Sequence, residues 1–193
     1  MSSRKEIDTA KAQYIQQSVD RFYQVWLVRG ATTGAIIFVF LIGLDAIALP
    51  DHWKELAMLR VLVAGILLVA AQTSRLIIRP LYHRVLGLAI IAVSAGFIEF
   101  MILNSGGHSS HYYVGMILLG VVAFGFLPGR VWFNATAAMM VYGIYIVPIM
   151  LNEPIVQVQE FFIANFFLVT IFSVMVLLRH LHDQHLINEL SQH

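Results

Sequence analysis

Six apolar stretches divide this chain, each at or near the length of a bilayer-spanning helix, and they limit its fold more than any other feature. A spanning helix needs about 20 apolar residues. The stretches run at about Val28–Leu49, Leu56–Ile77, Val85–Leu103, Tyr113–Leu127, Val131–Leu151 and Phe161–Leu178, the fourth being short. Of the 193 residues, 59% are hydrophobic and 12% are charged, whereas a soluble domain carries about 25% charged residues. A core of this size cannot hide so much apolar surface from water, so the solvent is lipid. The connections are brief and rich in turn residues: Pro50-Asp-His-Trp, Arg79-Pro-Leu-Tyr-His-Arg, Gly106–Tyr113, Pro128-Gly-Arg and Asn152-Glu-Pro. Brief connections make successive helices antiparallel. The expected fold is therefore all-α: an integral membrane six-helix bundle.

Lysine and arginine set the expected orientation. With the N-terminus in the cytoplasm, Arg4, Lys5, Lys11, Arg21, Arg29, Arg75, Arg79, Arg84, Arg130 and Arg179 lie inside, and only Lys54 and Arg60 lie toward the outside. Ten against two puts both termini in the cytoplasm and the Gly106 loop on the outer face. Residues 1–24 space Ile7, Ala10, Tyr14, Ile15, Val19, Phe22 and Tyr23 at helical intervals among polar residues, the pattern of an interfacial amphipathic helix. Residues 25–179 form the six-span domain. No proline or glycine interrupts the passage from the last span into residues 180–193, which read as the start of a signalling helix leading to a cytoplasmic output domain fused beyond it.

Several functions are excluded or disfavoured. The chain has no cysteine, which removes disulfides, thiolate metal sites and cysteine nucleophiles. A net charge of +1 argues against nucleic acid as a partner. No nucleophile–base–acid set and no phosphate-binding loop is legible, so no enzymatic activity is expected of this chain. Small pairs such as Gly30/Gly34 and Ala92/Gly96 read as packing notches.

Ionisable groups inside a membrane are costly and mark function or helix stapling. Asp45, Arg60 and Glu99 fall at similar depth, about a turn inside the outer boundary. They read either as a cluster joining three helices or as a polar floor beneath an outward-facing pocket, with Arg60 holding a propionate or a quinone oxygen. The histidines crowd both borders. His52, His108 and His111 lie at the outer border, and His83, His180, His182 and His185 at the inner one. Interfacial imidazoles need no ligand, yet each side offers two rings from different helices, as bis-histidine haem ligation requires. The outer pair would be His52 with His108 or His111; the inner pair would be His83 with His180 or His182. One or two haem b groups, or alternatively a quinone, are the candidate cofactors.

The segments G-G-H-S-S-H-Y-Y-V-G-M, F-L-P-G-R and F-F-I-A-N-F-F-L-V-T resemble those of six-span N-terminal sensor modules of bacterial histidine kinases and class III nucleotide cyclases. These carry a Gly-Gly-x-x-Ser-Pro-Tyr-Tyr-x-Gly loop between spans three and four and an Asn-Phe-Phe motif in span six. A more distant likeness extends to quinone-responsive redox sensor kinases. The resemblance implies a multi-pass, homodimeric protein of the bacterial inner membrane that senses a redox state or a small lipophilic ligand. Its output would be a cytoplasmic kinase, adenylate cyclase or diguanylate cyclase. It assigns roles to Gly106, Gly107, Ser110, Tyr112, Tyr113, Gly115 and Asn165. His111 stands where the pattern has proline, which adds a ligand-capable ring. A plain dimerising membrane anchor and a small transporter are the alternatives.

Overall fold

Backbone amides in a bilayer have no water to bond, so each apolar run must satisfy its own N–H and C=O groups. Helix does this, and in the computed structural model every element is a helix, with no strand among the described residues. The structure describes residues 21, 23–48, 50, 53–76, 80–107, 110, 112–126, 131–152 and 157–192. The expected interfacial helix falls outside them except at its last residues.

Among the described residues, seven helical elements follow in order: α1 (23–40), α2 (Ile42–Ala48), α3 (Trp53–Leu76), α4 (Pro80–Asn104), α5 (Tyr113–Phe126), α6 (Val131–Asn152) and α7 (Val158–Gln192). The first two form one rod broken only by a turn at Leu41, whose carbonyl accepts from the amides of both Leu44 and Asp45 at 3.1 Å. Among the described residues, five helices are long and apolar enough to cross a membrane: Tyr23–Ile47, Trp53–Leu76, Leu81–Asn104, Val131–Leu151 and Val158–His182. The sixth expected span is the shorter apolar helix α5, of 14 residues.

Polar side chains within the spans mostly turn back on their own helix. Thr32 donates to the Val28 carbonyl at 2.7 Å, Thr73 to Val69 at 2.8 Å and Thr136 to Trp132 at 2.8 Å. The hydroxyl thus finds an acceptor without leaving hydrocarbon.

Helix α4 is central. Half of its spanning window is buried, against 17% for α7, which is peripheral. Rod α1 lies along α3 and α4, with Gly34 against Leu67, Leu27 and Tyr23 over Gly87, and Phe38 edge-on to Phe97 at 5.6 Å. At the end of the bundle that holds residue 23, the Ser74 carbonyl accepts from Gln24 Nε2 at 3.1 Å and from His83 Nε2 at 3.0 Å, tying α1, α3 and α4 together. This carbonyl sits in the last turn of α3, where no intrahelical amide remains for it.

On the other side, α7 packs chiefly on α5. Ala164, Leu168, Phe172 and Arg179 form its buried stripe at helical spacing. Phe172 lies directly on the bare backbone of Gly120, where an added Cβ would come within 2.2 Å of the ring, and meets Phe124 edge-on at 5.2 Å.

A membrane-facing groove beside a closed ion pair

The end of the bundle opposite residue 23 holds two polar arrangements. The first is closed. Asp45 and Arg60 are fully or almost fully buried, and they pair two-pronged: Arg60 Nε donates to Oδ2, and Nη2 donates to Oδ1 at 2.9 Å. Tyr112 adds a third donor, its hydroxyl reaching Asp45 Oδ1 at 2.9 Å. Burial, together with this bond to a carboxylate, pushes the Tyr112 hydroxyl pKa up to about 12. The arrangement joins the first span, α3 and the loop before α5.

The geometry of that loop explains how Tyr112 gets there. Gly106 and Gly107 both take positive φ, 105° and 57°, which a side chain would resist. Ser110, buried, donates its amide to the Gly107 carbonyl at 3.0 Å and accepts the Tyr112 amide on Oγ at 3.2 Å. The glycines turn the chain and the serine holds the turn, so the phenol points back at the first span.

The second arrangement is open. A groove of about 580 Å³ runs between α4 and α6. Helix α4 contributes Gly96, Glu99, Phe100 and Leu103. Helix α6 contributes Met140, Gly143, Ile144, Val147 and Pro148. Both sets follow the three- and four-residue spacing of one helix face. Gly96 and Gly143 create the space, since a Cβ added at either meets nothing within 4 Å. The Gly96 position, expected from sequence to be a packing notch, is instead part of the groove. Glu99, 3% exposed, is the one charged residue on the walls. Its carboxylate lies within electrostatic reach of Tyr145, as do Tyr142 and Tyr113. Pro148 has no N–H, so the Ile144 carbonyl loses its ladder partner on this same face.

Behind the groove wall, Tyr142 donates its hydroxyl to Asn165 Oδ1 on α7 at 2.9 Å, while Asn165 Nδ2 donates to the Phe161 carbonyl at 2.8 Å. The asparagine singled out by the resemblance thus hydrogen-bonds α6 to α7.

The other sequence candidates are distributed as follows. Arg60 is committed to Asp45, and Glu99 sits on the groove wall. Tyr113 packs at the edge of the core. His83 is buried and gives Nε2–H to Ser74; its Nδ1 has no hydrogen-bond partner. His180 is half-buried with Nε2 3.1 Å from Gln184 Nε2, one turn on along α7, and His182 is exposed. An iron at the His83 end would therefore have to take Nδ1 or break the bond to Ser74, and His83 and His180 are engaged on different elements. The inner histidines fit a haem poorly as they stand. His52, His108 and His111 lie outside the described residues. The α6 wall of the groove was missed in sequence reasoning; its signal was Gly143 followed by Pro148, on the face that also carries Ile144.

Fold and site together define a multi-pass α-helical membrane protein with a laterally open groove. Comparison with protein families, with curated proteins and with solved structures finds no match to this chain.

Proposed function

We propose that this chain is the signal-input module of a membrane receptor. It detects a redox state or a small lipophilic ligand and passes the result through α7 to a cytoplasmic output domain. One observation carries the reading: the helix that walls the groove also holds α7, through Tyr142 and Asn165. A ligand that prefers one α4–α6 spacing over another shifts α6, and with it the bond to α7; a coupling of about 1–3 kcal/mol suffices for a switch. A quinone entering from the bilayer suits an open apolar groove better than haem suits the engaged His83. The charge bias favours both termini in the cytoplasm, and the resemblance to sensor modules implies a bacterial inner membrane and a homodimer presenting paired α7 helices.

The absence of native cysteine makes the test clean. Single cysteines at the exposed positions Leu177 and Leu181 report α7–α7 proximity by disulfide trapping. The expected result is trapping that changes between oxidised and reduced quinone pools and becomes insensitive in Tyr142→Phe. Trapping that is constant under both conditions and in all variants supports a plain dimerising anchor instead, and solute flux through liposomes carrying the chain supports a transporter.

A further inference from the structure

The Ser74 node has one member that can leave without dismantling it. The Ser74 carbonyl accepts from Gln24 Nε2 at 3.1 Å and from His83 Nε2 at 3.0 Å. When Gln24 withdraws, His83 still answers that carbonyl and α3 stays joined to α4. We infer that the first turns of α1, from Tyr23 to Leu27, are a strap that docks on α4 at this end of the bundle and swings off it as a conformational device. The inference is independent of the receptor reading.

The polar atoms of the strap argue for movement. Tyr23 is 3% exposed, and its hydroxyl has no hydrogen-bond partner; neither has Trp26 Nε1. Both residues lie in the first turn of their span, at the border where tyrosine and tryptophan ordinarily keep their polar tips wet. Here both tips are turned away from solvent. A buried donor left unpaired costs its full desolvation, and both donors recover water when α1 swings outward. His83 Nδ1 is a third buried atom without a partner at this node.

Packing holds the strap down. Tyr23 and Leu27 rest on the bare backbone of Gly87, where an added Cβ would come within 3.2 Å of Leu27 Cδ1 and 3.5 Å of the Tyr23 hydroxyl oxygen. Tyr23 also meets Phe133 of α6 edge-on at 6.3 Å. The first span is held lightly elsewhere, with 22% of its window buried against 50% for α4. Burial of two side chains thus stands against two desolvated donors, terms of similar size and opposite sign. A small difference between such terms is what a two-state element requires.

The test follows Trp26, which lies along Gly30 of its own helix and so travels with α1. Trp53→Phe and Trp132→Phe, both at exposed positions, leave it as the sole tryptophan. The full chain carrying these changes is placed in lipid nanodiscs, and Trp26 emission is quenched with acrylamide. Tyr23→Phe removes one unpaired donor and keeps the ring, so it favours the docked state. Gln24→Leu removes the bond to Ser74 and favours the undocked one. The expected result is a quenching constant that falls in Tyr23→Phe and rises in Gln24→Leu, each by at least about twofold. Gly87→Leu wedges α4 away from Leu27 and gives the undocked value. A constant that rises in Tyr23→Phe overturns the strap, because the hydroxyl then holds α1 in place. Equal constants in the parent, Tyr23→Phe and Gln24→Leu overturn it as well, because the contact is then static. Helical circular dichroism equal to that of the parent certifies that each variant is folded.

Discussion

Asp45 and Arg60 illustrate how an expensive pair becomes tolerable in lipid. Each charge alone costs several kcal/mol to bury, and the pair recovers this only when its geometry is good and its remaining lone pairs are used. Here both carboxylate oxygens accept, one of them twice. Removing one partner should therefore be far worse than removing both. Arg60→Met is expected to cost about 3–5 kcal/mol, whereas Asp45→Leu with Arg60→Met should come close to neutral; thermal unfolding in detergent micelles gives the comparison. Tyr112 provides a second check. Its folded pKa, about 12, exceeds the ordinary 10.0, so the folded state holds this proton more tightly than the unfolded one. Its contribution to stability is complete below pH 10 and is lost as pH rises through 12. In Tyr112→Phe that part of the alkaline decline should be missing, and the phenolate absorbance that titrates near pH 12 in the wild type should go with it.

Among the elements, the meeting of α5 with α7 is the tightest. Phe172 lies where a Gly120 side chain would be, so Gly120→Ala should destabilise by about 1–3 kcal/mol through overpacking. Phe172→Leu added to Gly120→Ala should recover part of that loss, giving a favourable interaction term in a double-mutant cycle. Helix α6 behaves in the opposite way at Pro148. Pro148→Ala returns an N–H to the Ile144 carbonyl, and slower amide exchange across residues 144–148 should follow, with helix stability raised. The sequence foretold these elements unevenly. Apolar runs and their turn residues made the spans legible, because length in hydrocarbon leaves helix as the only option. Asp45 and Arg60 could be placed at one depth by counting turns. That Glu99 would line a groove could not be foreseen, because it depends on how α4 rotates about its axis, and that rotation is set by partners distant in sequence such as Phe38 and Leu27. The groove was hidden for a related reason: Gly96 reads the same whether a neighbour fills its notch or leaves it vacant.

At the scale of the whole molecule, the fold is a central α4 flanked by α1 and α3 on one side and by α5, α6 and α7 on the other. Its two ends differ: one carries the Ser74 node with His83, and the other carries the ion pair, Tyr112 and the groove. Single cysteines at Tyr112 and at Gln184, in an otherwise cysteine-free chain, should label with an impermeant maleimide from opposite faces of intact vesicles. Labelling of both from one face would overturn the six-crossing arrangement that the charge bias implies.

Helix α7 has 35 residues without a break, roughly 52 Å of rod where a bilayer core needs about 30 Å. Twenty residues separate its tight contact at Phe172 from its end at Gln192, about 30 Å of lever arm. A tilt of roughly ten degrees about that contact sweeps the far tip through about 5 Å. Displacements too small to reorganise the buried residues are thereby magnified to the width of a helical turn outside the membrane.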